Sequence, residues 1–351
     1  MKSIRTVLLA AAAASTSSLA YSADAVVAAD PEPMEYVRVC DAFGNGYFYI
    51  PGTETCLKFS GYVRFDVQGG EALGRDTDLD GDGDAFDARS RSLLRIDTAS
   101  DTEYGPLKTH TEIRFNYHGG YAGPNYASSG YDAGTDIFLY QAFIDFYGFR
   151  VGKGESAFTT YTNYAGNVIQ DWVTKYGPFE TNFIAYNYDN SNGLTGVLSL
   201  EDDRGEGKGY MPDFVVGIGY SAGAYGVKLV AGYDESMKEG GIKARVDGSF
   251  GGFSAFFMAG WNTDGDRGPN RFAAWSGDYA LWAGVSAPLA EKFVLNTQLS
   301  YDEADNFAAV ANVDFKVVDG FTVTPEVLYM DNFDRKDADA WGGMLRFQRK
   351  F

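Results

Sequence analysis

The sequence predicts an all-β protein, a transmembrane antiparallel β-barrel of about sixteen strands. Two observations predict this fold: apolar and polar residues alternate along most of the chain, and tight connections alternate with long ones. The final strand shows the alternation, because Trp341, Leu345 and Phe347 fall on one face, whereas Arg346 and Gln348 fall on the other. One apolar face and one polar face suit a barrel wall that separates lipid from water.

A hydrophobic period of two residues places the strands in order along the chain. The predicted strands are 57–68, 89–98, 107–117, 137–147, 148–153, 179–188, 193–201, 212–220, 224–234, 240–248, 252–261, 275–286, 292–301, 307–317, 321–330 and 341–351. A barrel with about this number of strands leaves a water-filled channel, whereas a barrel of eight strands is filled by its own side chains.

The connections distinguish the two ends of the predicted barrel. Long connections at 69–88, 118–136, 154–178 and 262–274 are separated by tight ones such as 189–192, 221–223 and 319–320. Outer-membrane barrels have short periplasmic turns and longer extracellular loops. The pattern therefore predicts the outer membrane of a Gram-negative bacterium, with both ends of the barrel segment on the periplasmic side.

The composition agrees with an exported β-rich protein. Aromatic residues make up 16% of the chain and there are 43 glycines, which suit strands, membrane interfaces and turns. The mean hydropathy is only −0.23, as expected when lipid-facing and water-facing residues alternate. A net charge of −19 makes nucleic acid an unexpected partner, because nucleic acid favours basic surfaces.

The first residues are typical of a secretory signal peptide. Lys2 and Arg5 precede a short apolar run at 7–14, which is too short to span a bilayer. Ala20 and Ser22 are small residues at the two positions that a signal peptidase reads. We expect cleavage after residue 22, so that 1–22 is a signal peptide; the alternative is an uncleaved apolar N-terminus.

The chain contains two cysteines, Cys40 and Cys56. In the oxidising cell envelope, such a pair is most simply one disulfide. A metal site is the weaker alternative, because zinc needs further ligands. We therefore predict a periplasmic-side N-terminal segment at 23–56, closed by this disulfide, followed by the barrel at 57–351.

Six arginines fall on the inward phase of the first five predicted strands. They are Arg64, Arg89, Arg91, Arg95, Arg114 and Arg150. Arginine keeps its charge at any working pH, so together these residues would form a positive wall along the lumen. The alternative is that individual arginines only pair with nearby acids such as Asp66, Asp97 or Glu112.

The long connection 154–178 offers the opposite charge. It carries Glu155 and Asp171 among many threonines, tyrosines and asparagines. A long structured loop in a compact fold is usually functional. Folded into the lumen, its two acids would face the arginines, and the resulting field would tune ion preference in a narrow passage. The alternative is an ordinary surface loop.

The first long connection contains an acidic motif with the spacing of a calcium loop. The ligands would be Asp76, Asp78, Asp80, Asp84 and Asp87, with Gly81 at the sharp turn. Asp87 stands where a bidentate glutamate is usual, and no helix is evident on either side. The motif predicts either Ca²⁺ in the first extracellular loop or a solvated acidic segment without a metal.

The sequence gives little support to an enzyme. His110 and His118 are its two histidines, and no local motif places a nucleophile beside either one. The glycine pairs 240–241 and 251–252 sit at predicted strand turns, not before a helix, so they are not phosphate-binding loops. Apart from Ca²⁺ in the first loop, we expect no cofactor.

Several segments resemble the alphaproteobacterial porin family. They are 35–56 (EYVRVCDAFGNGYFYIPGTETC), 61–65 (GYVRF), 167–171 (NVIQD), 209–212 (GYMP), 321–327 (FTVTPEV) and 340–351 (AWGGMLRFQRKF). The resemblance implies a sixteen-stranded, trimeric general diffusion porin of the outer membrane. It also implies that the loop at 154–178 narrows the pore.

Together these features predict a passive diffusion channel for small hydrophilic solutes and ions. The expected partners are further copies of the chain in a homotrimer, outer-membrane lipid, lipopolysaccharide and the barrel-assembly machinery. For that machinery the aromatic chain end, with Phe347 and Phe351, is the expected signal. Two alternatives stay open: a solute-selective channel, and a surface adhesin or receptor that uses the long loops.

Overall fold

The computed structural model describes residues 38–73, 87–118, 134–202, 210–265 and 270–351, and within them lie seventeen strands, one short α-helix and one 3-10 turn. The strands are β1 (Phe48–Tyr49), β2 (Cys56–Gly69), β3 (Asp87–Ser100), β4 (Leu107–His118), β5 (Gly134–Phe146), β6 (Phe149–Glu155), β7 (Glu180–Asp189), β8 (Leu194–Glu201), β9 (Asp213–Ala222), β10 (Tyr225–Asp234), β11 (Glu239–Phe250), β12 (Phe253–Asn262), β13 (Tyr279–Ala290), β14 (Phe293–Asp302), β15 (Asn306–Val318), β16 (Phe321–Asn332) and β17 (Ala340–Lys350). The helix α1 is Ala157–Thr160 and the 3-10 turn is Asp41–Phe43.

Sixteen of these strands, β2 to β17, close into one barrel. Each pairs antiparallel with the next, and β17 pairs back onto β2 with Phe347 opposite Phe65. Gly61 and Phe351 exchange two backbone hydrogen bonds of 3.0 Å, which extend the closure to the last residue. Closure leaves no open sheet edge, a condition that strands must meet in lipid. The predicted antiparallel barrel of about sixteen strands is confirmed.

The barrel wall has an apolar outer face. On β10, Val227, Leu229 and Tyr233 are 53%, 45% and 44% exposed, whereas the alternating Val230 is buried and Lys228 is half-buried. An apolar band that covers the outside of a barrel matches lipid contact. In the described part of the chain, no helix is both long enough and apolar enough to cross a membrane.

Tight hairpin turns join the strands at one end. Tyr147 and Gly148 have φ values of 52° and 84°, and Gly251 and Gly252 have φ values of 57° and 94°. Two consecutive residues with positive φ form the turn class that matches the twist of a hairpin, which explains the glycines. The pair at 251–252 is therefore a hairpin turn, as predicted. Gly240 and Gly241, expected at a turn, instead lie within β11.

The strand predicted at 275–286 begins later than expected. β13 starts at Tyr279, and Trp275 lies in the preceding loop, where it is 1% exposed. Its ring packs against that of Trp282 with the centroids 5.6 Å apart. The prediction included Trp275 in the strand because aromatic residues favour strands. In the structure Trp275 is buried for a different reason, because its loop folds into the barrel.

The connection between β6 and β7, residues 156–179, also folds into the barrel; we call it the third loop. Phe158, Ala165 and Tyr176 of this loop belong to a buried apolar cluster that includes Trp275 and Trp282. Phe158 is fully buried, and burial of such a side chain stabilises the loop by roughly 1.5–3 kcal/mol. The predicted inward third loop is confirmed, and the surface-loop alternative is wrong.

A second apolar cluster holds the middle of the third loop against another part of the wall. Val168, Ile169 and Val173 pack against a cluster that contains Leu328 of β16 and Met344 of β17. The loop therefore contacts both sides of the barrel interior.

Cys40 and Cys56 form a disulfide, with their Cα atoms 6.0 Å apart. This confirms the predicted bond, and the metal alternative for these two residues is wrong. The bond ties the chain before β1 to the first residue of β2, one position before the predicted start of the barrel. A bond across 16 positions limits the unfolded chain and contributes about 3 kcal/mol in the chain-entropy model.

Candidate functional site

Long polar side chains of the barrel wall hold the backbone of the third loop. The bonds run from Lys243 Nζ to the carbonyl of Tyr176 (2.6 Å), from Arg245 Nη1 to that of Tyr164 (2.6 Å) and from Trp282 Nε1 to that of Thr174 (2.9 Å). Lys243 is fully buried, so this bond replaces water that its ammonium group has lost. These contacts fix the loop against β11 and β13.

Glu326 of β16 holds the middle of the third loop. Its two carboxylate oxygens accept hydrogen bonds from the N–H groups of Ile169 at 2.6 Å and Gln170 at 2.8 Å. Asn312 of β15 donates to the same carboxylate at 2.8 Å and to the carbonyl of Asn167 at 3.2 Å. Hydrogen bonds to an ionised carboxylate are stronger than neutral ones, so Glu326 is a principal anchor of the loop.

Between the third loop and β2–β5 the lumen stays open as a cavity of about 450 Å³. Its charged lining consists of Arg64, Arg91, Arg95, Arg114 and Arg346 with Glu112, Glu155 and Asp171. The structure thus brings together six of the eight residues predicted for a constriction, four arginines and both acids. We call this space the charged cavity.

The arginines of the charged cavity differ in their partners. Glu112 is shared, since Arg95 Nε lies 2.6 Å and Arg114 Nη2 lies 3.0 Å from its carboxylate oxygens. Arg91 Nε instead donates to the amide oxygen of Asn116 at 2.6 Å. Arg64 likewise donates to an amide, that of Gln348, at 2.6 and 2.8 Å. An amide leaves the charge of its arginine uncompensated, so this part of the wall carries net positive charge.

Arg89 and Arg150 lie outside the charged cavity. Arg89 Nη2 pairs with Asp66 at 2.8 Å. Arg150 makes two bonds to Asp145, at 2.7 and 2.8 Å, and lines a different cavity. For these two residues the structure matches the alternative of local pairing with an acid.

The two predicted acids line the same cavity as the arginines, Asp171 from the third loop and Glu155 from the strand before it. Glu155 is the last residue of β6, not part of the loop, and the phenol groups of Tyr140 and Tyr164 donate to its two oxygens. Asp171 accepts a hydrogen bond of 2.6 Å from the phenol of Tyr176. Burial raises the pKa of the Asp171 carboxyl above its ordinary value, and this hydrogen bond only partly opposes the shift.

The raised pKa of Asp171 predicts a pH dependence of ion preference. As pH falls, Asp171 becomes neutral at a pH above the ordinary aspartate value of 3.8, and the charged cavity gains net positive charge. We expect the reversal potential in a salt gradient to shift toward anions in this range. In Asp171→Asn the same shift should be absent. This role would be contradicted if the shift of the reversal potential had its midpoint at or below pH 3.8, or if Asp171→Asn showed the same shift with pH as the wild type.

Four lumen residues that matter here were not among the predicted site residues. Arg346, on the inward face of β17, lines the charged cavity and makes a 2.7 Å bond to Asp66. Its inward phase was visible, but the predicted wall stopped at the fifth strand, although closure places β17 beside β2. Lys243, Arg245 and Glu326 also lie on inward phases; their contacts with the third loop have no local signal in the sequence.

The acidic motif lies mostly beyond the described residues. Asp76, Asp78, Asp80 and Asp84 are outside them, and Asp87 is the first residue of β3. Among the residues that the structure describes, no group of three or more His, Cys, Asp or Glu side chains is placed to hold a metal ion. Calcium binding by the first long loop stays a prediction.

A closed barrel with an apolar exterior, a charged lumen and an inward loop defines a transmembrane diffusion channel. The chain belongs to the porin family, because the model of the "Porin subfamily" matches residues 24–346. It is 40% identical over 366 aligned residues to Porin Omp2b of Brucella suis biovar 1 and to Porin Omp2b of Brucella melitensis biotype 1. In both cases 99% of each chain is covered. The suspected family is thus confirmed.

Solved structures show the same fold at low sequence identity. The outer membrane channel DcaP of Acinetobacter baumannii superposes with a TM-score of 0.62 at 15% identity, over 86% of this chain and 99% of that one. A triple mutant of the Rhodopseudomonas blastica porin superposes with a TM-score of 0.59 at 16% identity, over 84% of this chain and 100% of that one. The anion-selective porin from Comamonas acidovorans superposes with a TM-score of 0.55 at 14% identity, over 85% of this chain and 100% of that one. Family and fold identify a general outer-membrane diffusion channel and point away from an enzyme.

Proposed function

We propose that ions and small hydrophilic solutes cross the outer membrane through the charged cavity, which is the constriction of the pore. Arg64, Arg91, Arg95 and Arg114 form its basic side, and Glu155 and Asp171 form its acidic side. The observation that carries the proposal is that these six residues line one open space between the wall and the third loop. Passage by diffusion needs neither a nucleotide nor a redox cofactor.

Opposite charges on the two sides of the charged cavity produce a field across the direction of travel. Such a field orients dipolar solutes and favours one sign of ion, since the low-dielectric wall focuses it. Arg64 and Arg91 have amide partners, and the carboxylates of Glu155 and Asp171 accept from neutral phenols. The charges on both sides therefore act on solutes in the passage.

Swelling of liposomes that contain the purified protein tests the size limit of this passage. We expect pentoses to enter fastest and the rate to fall steeply through hexoses, disaccharides and trisaccharides, because the third loop occupies much of the lumen. Liposomes without protein are the control. Swelling no faster than in the control, or independent of sugar size, would contradict a general diffusion pore.

We further propose that residues 1–22 are a cleaved signal peptide and that 23–56 is an N-terminal segment on the periplasmic side. The family match starts at residue 24, the second residue after the predicted cleavage position, which supports this assignment. The mass of the mature protein tests it, with loss of the first 22 residues as the expected result.

The proposed assembly is a homotrimer in contact with outer-membrane lipid and lipopolysaccharide. Support comes from the resemblance to the porin family and from the apolar outer face of β2, where Phe59, Val63 and Phe65 are exposed in the single chain. The aromatic end with Phe347 and Phe351 is the proposed signal for the barrel-assembly machinery. The mass of the complex in detergent, expected to equal three chains, tests the oligomeric state.

A further inference from the structure

A second cavity, of about 310 Å³, opens into the lumen beneath α1; we call it the alcove. Its lining includes Phe143, Arg150, Tyr161, Phe183, Asn187 and Lys228. The volume is at the lower end of the range for small-molecule sites. Arg150 and Asn187 lie next to the turns that end β5 and β7, so the alcove faces the short-turn end of the barrel.

Lys228 distinguishes the alcove from the rest of the inner wall. Its ammonium group lies 5.5 Å from the ring centroid of Tyr161. Among the residues that the structure describes, this group has neither a hydrogen bond nor an ion pair, although the side chain is half-buried. The neighbouring cations on β11, Lys243 and Arg245, are both used to hold the third loop.

Two of the other charged side chains near the alcove, Arg150 and Asp247, are paired with opposite charges. Arg150 is bound by Asp145 through two hydrogen bonds. Glu155, at the α1 end, keeps its negative charge, because its two partners are neutral phenol groups, so an anionic group of a ligand is favoured at Lys228 and not at this end. Asp247, which faces the same part of β10, is paired with Arg245 at 2.7 Å. Of the two cations in its lining, Arg150 and Lys228, Lys228 is thus the one that is available to an anionic ligand.

The remaining lining is apolar and aromatic. Phe143, Tyr161 and Phe183 contribute their rings, and Val197 is almost fully buried beside them. Phe143 is held from two sides, since His110 stacks on it at 5.0 Å and the Arg150 guanidinium lies 4.2 Å from its centroid. A fixed apolar wall beside one free cation suits a ligand with an apolar body and one negative charge.

We propose that the alcove binds small organic anions with an apolar body, of which an aromatic monocarboxylate is the simplest member. The carboxylate meets Lys228, with the amide of Asn187 as a second donor, and the ring lies among the aromatic side chains. This inference rests on the proposed channel function, because the ligand reaches the alcove from the lumen. It adds a preferred solute class to a passage that otherwise selects by size and charge.

Calorimetric titration of the detergent-solubilised protein with benzoate tests the inference without requiring conduction. We expect saturable binding, with acetate and benzyl alcohol each binding more weakly because they lack the ring or the charge. Lys228→Gln should weaken benzoate binding at least fivefold, which is the effect of one unit-charge pair at about 4 Å in water. Lys336→Gln is the matched control, because Lys336 is a 91% exposed lysine in the loop before β17.

The outcomes separate this inference from the channel function. Binding that is lost in Lys228→Gln and kept in Lys336→Gln supports the alcove. Equal benzoate affinity in both variants, or no binding to a protein that forms open channels in a bilayer, overturns the inference and leaves the channel intact. A protein that forms no channels overturns the channel function itself.

Discussion

Replacing Arg91 and Arg95 together with serine shifts the ion preference of the channel toward cations. Both residues line the charged cavity in front of the third loop. The double change removes two positive charges and leaves Glu112 paired, because Arg114 still lies 3.0 Å from it. The neutral partner of Arg91, the amide of Asn116, loses only a donor.

The expected size of the shift follows from Coulomb's law. A unit charge about 6 Å from a passing ion in water at ~0.1 M salt changes the ion's energy by about 0.4 kcal/mol. The sign is opposite for cations and anions, so each arginine changes the ratio of their permeabilities about fourfold, and the pair changes it about fifteenfold. Reversal potentials across a planar bilayer in a salt gradient measure this ratio.

A matched double variant separates a local effect from a general change in net charge. Lys238→Ser with Lys336→Ser removes the same two charges from exposed positions in the loops before β11 and β17. We expect its reversal potential to equal that of the wild type. If the arginine variant also leaves the reversal potential unchanged, Arg91 and Arg95 do not belong to the constriction.

Replacing Glu326 with alanine releases the middle of the third loop and increases the single-channel conductance. The change removes the acceptor of the N–H groups of Ile169 and Gln170. Each hydrogen bond to a charged group is worth about 1.5–3 kcal/mol, so the released state gains at least about two orders of magnitude in population. The anchors at Lys243 and Trp282 remain, so the loop stays attached at its other end.

Single-channel recording distinguishes this result from a general loss of structure. We expect larger and noisier current steps in Glu326→Ala, and an intermediate effect in Glu326→Gln, which keeps one acceptor oxygen. Asp314→Asn is the control, because Asp314 is an inward acid on β15 that bonds Thr324 at 2.6 Å and Asn296 at 3.2 Å, both on the wall. Steps of wild-type size in Glu326→Ala would show that this carboxylate does not fix the loop.

The strands could be predicted from the sequence because their signal is local. On β10, adjacent residues alternate between the outer face (Val227 and Leu229) and the inner face (Lys228), so a short stretch of sequence shows the pattern. Each strand also pairs with its neighbours along the chain. The turn at 251–252 is equally local, since consecutive glycines meet its backbone requirement. The boundary of β13 failed because Trp275 has strand propensity but is buried by an inward loop.

The site could be predicted only in part, because its contacts join distant parts of the chain. The inward phase of Arg64, Arg91 and Arg95 followed from strand alternation, which is why they meet in one cavity, whereas Glu155 was predicted as part of the long connection and lies at the end of β6. The bonds from Ile169 to Glu326 and from Lys243 to Tyr176 span 157 and 67 positions. The periodicity of the sequence does not reveal such pairs, because they depend on how the third loop packs against β11 and β16.

The current through a single purified protein in a planar lipid bilayer tests the central claim most directly. An open, water-filled lumen predicts step-like increases in current whose size is proportional to voltage and rises with salt concentration. A refolded protein that shows the circular dichroism of a β-barrel but conducts no such steps would contradict a continuous aqueous passage past the third loop.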